Sequence, residues 1–110
     1  LDDANFIINI SEDGWFGNSI GPYQHFSHSI FRAIEEGKNI IRVSNNGISA
    51  YIDSNGLIID KLETTNKGVI EINNYKNSKM TFFSKFGNKI FFYFILFYIS
   101  LLFFNYKKER

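Results

Sequence analysis

The side chains best suited to chemistry fall between residues 12 and 47. Trp15 and Phe16 stand between Gly14 and Gly17, in a turn-rich loop that follows an apolar run. In α/β folds, loops at strand ends are where ligand contacts gather. These two rings either line a pocket or fold back onto the core. His25 and His28 lie one helical turn apart, a spacing that metal pairs use, and Glu35 is two turns beyond His28. Nothing else joins them, so helix-borne, hydrogen-bonding histidines are the expected reading and no metal is expected. Arg32 and Glu35 are three apart on one helix face, as a solvated ion pair or a buried brace. Asn45 and Asn46 precede Gly47 at another strand end, where asparagine shapes a turn or orients a ligand carbonyl; the turn is its commoner use.

The residue types that are missing narrow the chemistry further. The chain has no cysteine, so it offers no thiol nucleophile, thiolate metal site or disulfide. No serine–histidine–aspartate order or zinc spacing is present. The glycines of the Trp-Phe loop lack the spacing and the lysine of a phosphate loop. Twelve basic against eleven acidic residues give a formal charge of +1, which argues against a nucleic-acid partner.

An α/β frame must hold these residues. Asn5–Ile10 reads as a buried strand, and Ser11–Gly21, with its three glycines, as a loop. Pro22 suits the first turn of a helix. Tyr23, Phe26, Ile30 and Ile34 recur at helical spacing, and Gly37 is a natural stop. Ile40–Val43 is a second strand. Ile48–Ile52 and Leu57–Ile59 flank an Asp-Ser-Asn-Gly turn and predict a hairpin. Val69–Ile72 is a further strand candidate.

The C-terminal region has a different character. Thirteen phenylalanines raise the aromatic content to 18%, and many of them crowd the end of the chain. From Ile90 to Phe104 nothing is charged. Counted to Tyr106 the run is roughly 17 residues, or about 25 Å of helix, at the short end for crossing a bilayer. Lys89 and Lys107 can snorkel to close the gap. A helix apolar all round needs cover that so small a domain cannot give, so a membrane span is expected. Lys107, Lys108 and Arg110 follow it, and the positive-inside tendency places them in the cytoplasm with the α/β part across the membrane. The chain thus divides into an α/β portion at 1–79, a juxtamembrane segment at 80–89, a span at 90–106 and a basic tail at 107–110. It begins at Leu1, with no leader of charged then apolar residues, and reads as a piece of a longer protein.

Four blocks carry a more specific signal: Asp13-Gly14-Trp15-Phe16-Gly17, Gly21-Pro22-Tyr23-Gln24-His25, Arg32-Ala33-Ile34-Glu35 and Arg42-Val43-Ser44-Asn45-Asn46-Gly47. In order and spacing they resemble the apolipoprotein N-acyltransferases, membrane-bound members of the nitrilase (carbon–nitrogen hydrolase) superfamily. Residues 81–88 resemble the segment that precedes the last span in that family. The resemblance covers nearly the whole chain. Glu12 stands where the family commonly has Asn, Gly14 where it has Ala and Asn39 where it has Pro. Phe82, Phe83 and Lys85 replace Pro, Tyr and Arg, which removes a hydroxyl and a forked guanidinium.

The resemblance implies the C-terminal part of an α/β/β/α sandwich, followed by the last transmembrane helix of a multi-pass protein of the bacterial inner membrane. It implies a fatty acyl chain passed from phospholipid, through a cysteine thioester, to the α-amine of the diacylglyceryl-cysteine that begins an apolipoprotein. It implies no cofactor. The family's Glu, Lys and Cys all precede Leu1, so no catalytic residue is expected in this segment and it should be inactive alone. Trp15, Phe16 and Gly17 would line the acyl pocket, with His25, Arg32, Glu35, Asn45 and Asn46 supporting it; for Arg32 and Glu35 the resemblance favours the buried brace. The rivals are a superfamily amidase, disfavoured by the span, and a non-catalytic membrane-anchored fragment. Half a sandwich leaves a bare apolar face and an open edge, so the isolated segment should aggregate.

Overall fold

Alternation of side chains on two parallel strands organises the computed structural model, which describes residues 4–74 and 78–110. Strand β1 (Phe6–Glu12) leads through a 3-10 turn at Gly14–Phe16 into helix α1 (Gly21–Glu36). Strands β2 (Asn39–Asn45), β3 (Ser49–Ile52) and β4 (Ile58–Leu62) follow. The sheet order is β1-β2-β3-β4. β1 pairs with β2 in parallel, from Phe6 opposite Asn39 to Glu12 opposite Asn45, and the other pairings are antiparallel. A helical crossover between parallel neighbours is what such a pairing requires.

Period-two alternation sends Ile7, Ile40, Ala50, Ile52 and Ile58 to one face. There they meet Phe26, Ile30 and Ala33 of α1, with Ile48 completing the core. The other face is apolar as well, but largely bare. Phe6, Ile8 and Val43 are exposed there, and Ile10 is 81% exposed. An apolar patch of that kind marks a surface built for a partner layer.

The structure moves three expected features. The buried stripe of α1 runs through Pro22, Phe26, Ser29, Ala33 and Glu36, while Tyr23 and Ile34 are half exposed at its flank. Small Ser29 and Ala33 let the helix lie close to the sheet, which rotates the contact face away from the larger side chains. Val69–Ile72 forms no strand. Instead Gly68, Ile70 and Ile72 lie over Ile41, Val43, Tyr51 and Leu62 and enclose a small cavity of about 150 Å³. The segment covers part of the bare face without joining the ladder. Strand β4 also runs on to Leu62, further than its apolar residues alone suggest.

Two helices end the chain. Helix α2 (Phe82–Phe86) is capped by Thr81, whose hydroxyl accepts from the Ser84 amide while the Ser84 hydroxyl accepts from the Thr81 amide. Helix α3 (Lys89–Lys108) is 20 residues long, with a mean hydropathy of 1.6 over its most apolar window and no buried residue. At about 1.5 Å per residue it is about 30 Å long, enough to cross a hydrocarbon core.

The link to α2 is pinned to the end of α1. The Lys79 amide donates to the Gly37 carbonyl at 2.7 Å, and the Thr81 hydroxyl donates to the Glu35 carbonyl. Gly37 sits at φ 63°, and a Cβ there would overlap the Lys79 carbonyl. Left-handed backbone and close approach together require glycine. We expect Gly37→Ala to lower the stability of the intact, detergent-solubilised protein by about 2 kcal/mol or more, measured by chemical unfolding.

Candidate functional site

Because β1 and β2 run parallel, their carboxyl ends open on one edge of the sheet, where α/β folds place ligands. The first loop carries Asp13 and the Gly14–Phe16 turn into α1. The second, Asn46–Gly47, turns β2 into β3. Asn46 holds a left-handed φ of 56°, a conformation asparagine tolerates well.

Asp13 joins the two loops to the core. Its side chain has no exposed surface. Oδ1 accepts from the Ser11 hydroxyl at 2.8 Å and lies 2.6 Å from His25 Nδ1. Oδ2 accepts from Arg42 Nη2 at 2.9 Å and from the Ser44 hydroxyl at 3.0 Å. The Asp13 amide donates to the Asn45 carbonyl at 3.0 Å. Arg42 is 1% exposed, and its other two nitrogens also donate. Nε reaches the Ile48 carbonyl at 3.1 Å, and Nη1 reaches Asn9 Oδ1 at 2.6 Å and Ser29 Oγ at 3.1 Å. A buried charge pair is tolerable only with this degree of satisfaction. Gly47 makes room for it, since a Cβ there would overlap Asp13 Oδ2 and Ser44 Oγ.

Burial by itself raises the Asp13 carboxyl; hydrogen bonds from Ser11, His25 and Ser44 and the Arg42 charge outweigh it and hold the group below its usual range. The carboxylate at Nδ1 favours a proton on that atom, so that Nδ1 donates to Asp13. The His25 side chain is partly exposed. Glu12, at the exposed end of β1, forms a second tie. Its Oε1 accepts from the Gly14 amide at 2.7 Å and from Asn46 Nδ2 at 3.2 Å. Its Oε2 accepts from Asn45 Nδ2 at 2.5 Å. The Gly14 amide, then Asn46 and Asn45, hold this carboxyl below its ordinary value.

The residues singled out from sequence separate in space. Trp15 is 82% exposed and leans on Phe16, with ring centroids 5.3 Å apart. Phe16 is half-buried, 5.9 Å from the His25 ring and directly over Gly21, where a Cβ would strike it. Gly17 borders an open cleft of about 590 Å³ with Gly14, Asn18, Ser19, Pro22, Tyr23, Asn46, Thr64 and Thr65. Neither the Trp15 nor the Phe16 ring is among the residues that line it. His25 enters the Asp13 network, while His28 is exposed. Arg32 and Glu35 are 3.6 Å apart with side chains 54% and 45% exposed, so in this chain they form a solvated pair. Arg32 also reaches Glu36 at 3.4 Å. The buried brace is instead Asp13–Arg42. Its signal in the sequence was a charge at an inward position of the apolar run Ile40-Ile41-Arg42-Val43.

Residues 1–73 match the family model for carbon-nitrogen hydrolases, and the chain belongs to that family. Within it, the chain is 45% identical over 108 residues to the apolipoprotein N-acyltransferase of Rickettsia bellii, covering 97% of this chain and 21% of that protein. It is 43% identical over 100 residues to the apolipoprotein N-acyltransferase of Wigglesworthia glossinidia brevipalpis, covering 89% of this chain and 20% of that one. For the enzyme of that name in Rickettsia typhi the identity is 49% over 86 residues, covering 77% and 17%. The chain therefore spans about a fifth of the length of these curated relatives.

Three outcomes follow from the geometry. Arg42→Ala strands a buried carboxylate and should destabilise the intact protein by about 3–5 kcal/mol, whereas the double change Asp13→Leu with Arg42→Met should cost less; chemical unfolding of each variant tests this. Since Asp13 has a lowered folded pKa, its contribution is present above the ordinary carboxylate value and is lost as pH falls through the lowered one. Glu12→Ala should leave the midpoint of unfolding nearly unchanged while speeding hydrogen exchange at the Gly14 amide and through Asn45–Gly47. Unaltered exchange there would show that Glu12 does not hold the loops.

Proposed function

We propose that this chain is the C-terminal part of a membrane-bound acyltransferase, and that the whole protein moves a fatty acyl chain from a phospholipid to an apolipoprotein. One observation carries this reading. Similarity to relatives named apolipoprotein N-acyltransferase extends over 97% of the chain, through both the Trp15 loop and helix α3. A soluble amidase has no use for an exposed 20-residue helix that is uncharged from Ile90 to Phe104.

The chemistry takes two steps. A thiolate attacks the phospholipid ester, forming a thioester and releasing a lysophospholipid. The free α-amine of the acceptor's diacylglyceryl-cysteine then attacks the thioester, forming an amide and returning the thiol. This chain has no cysteine, so the thiol comes from residues outside it, and the segment alone is inactive. The part played by these residues is to complete the sheet, present the Trp15–Phe16–Gly17 loop to the acyl chain and anchor the domain. His25, Asn45 and Asn46 support that loop through Asp13 and Glu12, while Arg32 and Glu35 stand further back on α1.

Residues 1–79 form the α/β portion, 80–89 the approach to the membrane, 90–106 the hydrocarbon-spanning core of α3 and 107–110 the tail. We place the protein in a bacterial inner membrane, with the sheet on the periplasmic side and Lys107, Lys108 and Arg110 in the cytoplasm.

Trp15 offers a discriminating test because it is exposed, so truncation costs the fold little. In the full-length protein, Trp15→Ala should reduce acyl transfer to an apolipoprotein roughly tenfold, the size of a lost aromatic contact, at unchanged protein level. Trp15→Phe should retain most of the rate. Equal acyl transfer by Trp15→Ala and the unaltered protein would remove the loop from the acyl site. No acyl transfer by the unaltered full-length protein would overturn the assignment itself.

A further inference from the structure

Between Glu71 and Glu109 the chain contains no acidic residue, while lysines recur at positions 76, 79, 85, 89, 107 and 108. This one-sided stretch includes α2, the elbow after it and all of α3. Helix α2 carries three phenylalanines in five residues. Phe82 and Phe86 are in tilted contact with ring centroids 4.6 Å apart, and Phe82 is exposed. Lys85 lies over the Phe86 ring at 5.4 Å. Gly87, at φ 55°, ends α2, and Asn88 starts α3 at once, so Lys85 and Lys89 flank a two-residue elbow. No ring of α2 is fully buried against the α/β part, although α2 is tethered to it through Gly37 and Glu35. Rings together with cations, and no anion, at the mouth of an apolar helix match the boundary between acyl chains and phosphates.

We propose that α2 is an interfacial helix that seats on anionic phospholipid, with Lys85 and Lys89 against lipid phosphates and Phe82, Phe83 and Phe86 in the outer acyl layer. The proposal rests on the membrane reading above and adds a headgroup-binding surface to it. The charge is complementary, and the surface is continuous with the span. A second protein as occupant would bring acidic side chains to Lys85 and Lys89, and would leave them indifferent to lipid composition.

The test uses the full-length protein reconstituted in vesicles of phosphatidylcholine with a varied share of phosphatidylglycerol. Phe82→Trp in a Trp15→Phe background, read as the difference from Trp15→Phe alone, provides a local probe by quenching with lipids brominated at shallow or deep acyl positions. Shallow quenching should exceed deep quenching and should rise with phosphatidylglycerol. With Lys85→Ser and Lys89→Ser together, the phosphatidylglycerol fraction at half-maximal quenching should rise several-fold, while α3 stays resistant to carbonate extraction. A probe open to acrylamide and unquenched by either lipid overturns the interfacial seat. Quenching indifferent to phosphatidylglycerol, with the lysines intact, overturns the headgroup role. Release of the whole protein by carbonate would instead overturn the membrane reading beneath both.

Discussion

The edge of the sheet depends on one buried ion pair. Asp13 and Arg42 are both removed from solvent, and each is costly to bury alone. The pair spans the two parallel strands and draws Ser11, Ser44, His25, Asn9 and Ser29 around it. Asp13 is the residue at which β1 ends and the aromatic turn begins, so the position of Gly14–Phe16 is set by a charge fixed in the core. Gly47 and Gly21 then become obligatory, one leaving space for the carboxylate and the other for the Phe16 ring.

Around this pair, polarity and apolarity are divided by face. Inward positions of β1 and β2 change from isoleucine to Asn9, Arg42 and Ser44 as the strands approach the loop edge, so the layer beneath α1 is apolar at one end and hydrogen-bonded at the other. The opposite face is apolar as far as Ile10 and Val43, ends in Glu12 and Asn45 at the loop edge, and is only partly covered by residues 68–72. The chain spans about a fifth of the length of its relatives, and within it this face is largely bare.

The strands, α1, the hairpin and α3 were legible in the sequence because each was locally consistent, whereas helix α2 lies in a segment read only as the approach to the membrane. The isoleucine runs gave the strands, Pro22 and Gly37 bracketed α1, Asn55-Gly56 marked the hairpin, and an uncharged run marked α3. Tertiary packing decided what was not legible. The contact face of α1 rotated towards Ser29 and Ala33 because close approach to the sheet outweighed the size of Tyr23 and Ile34. Val69–Ile72 had strand composition but lies on the sheet's face, where no free edge is offered. At the site, helical spacing points to Arg32 and Glu35, whereas the buried pair is 29 residues apart along the chain. Such a partnership is visible only once β1 and β2 are adjacent.

Gly37 and Lys79 have a kinetic consequence. The hydrogen bond between them ties the approach to α3 to one end of α1, and the aromatic turn lies at the other. Sixteen helical residues at about 1.5 Å each separate these points by about 24 Å. For the proposed enzyme, that length and the short elbow confine the loop to a thin shell above the bilayer. Lipid would then meet it at an effective concentration of millimolar order, set by the tether and independent of bulk diffusion. In such an enzyme the search for an acyl donor would run in two dimensions, with the height of the loop set by the pin at Gly37.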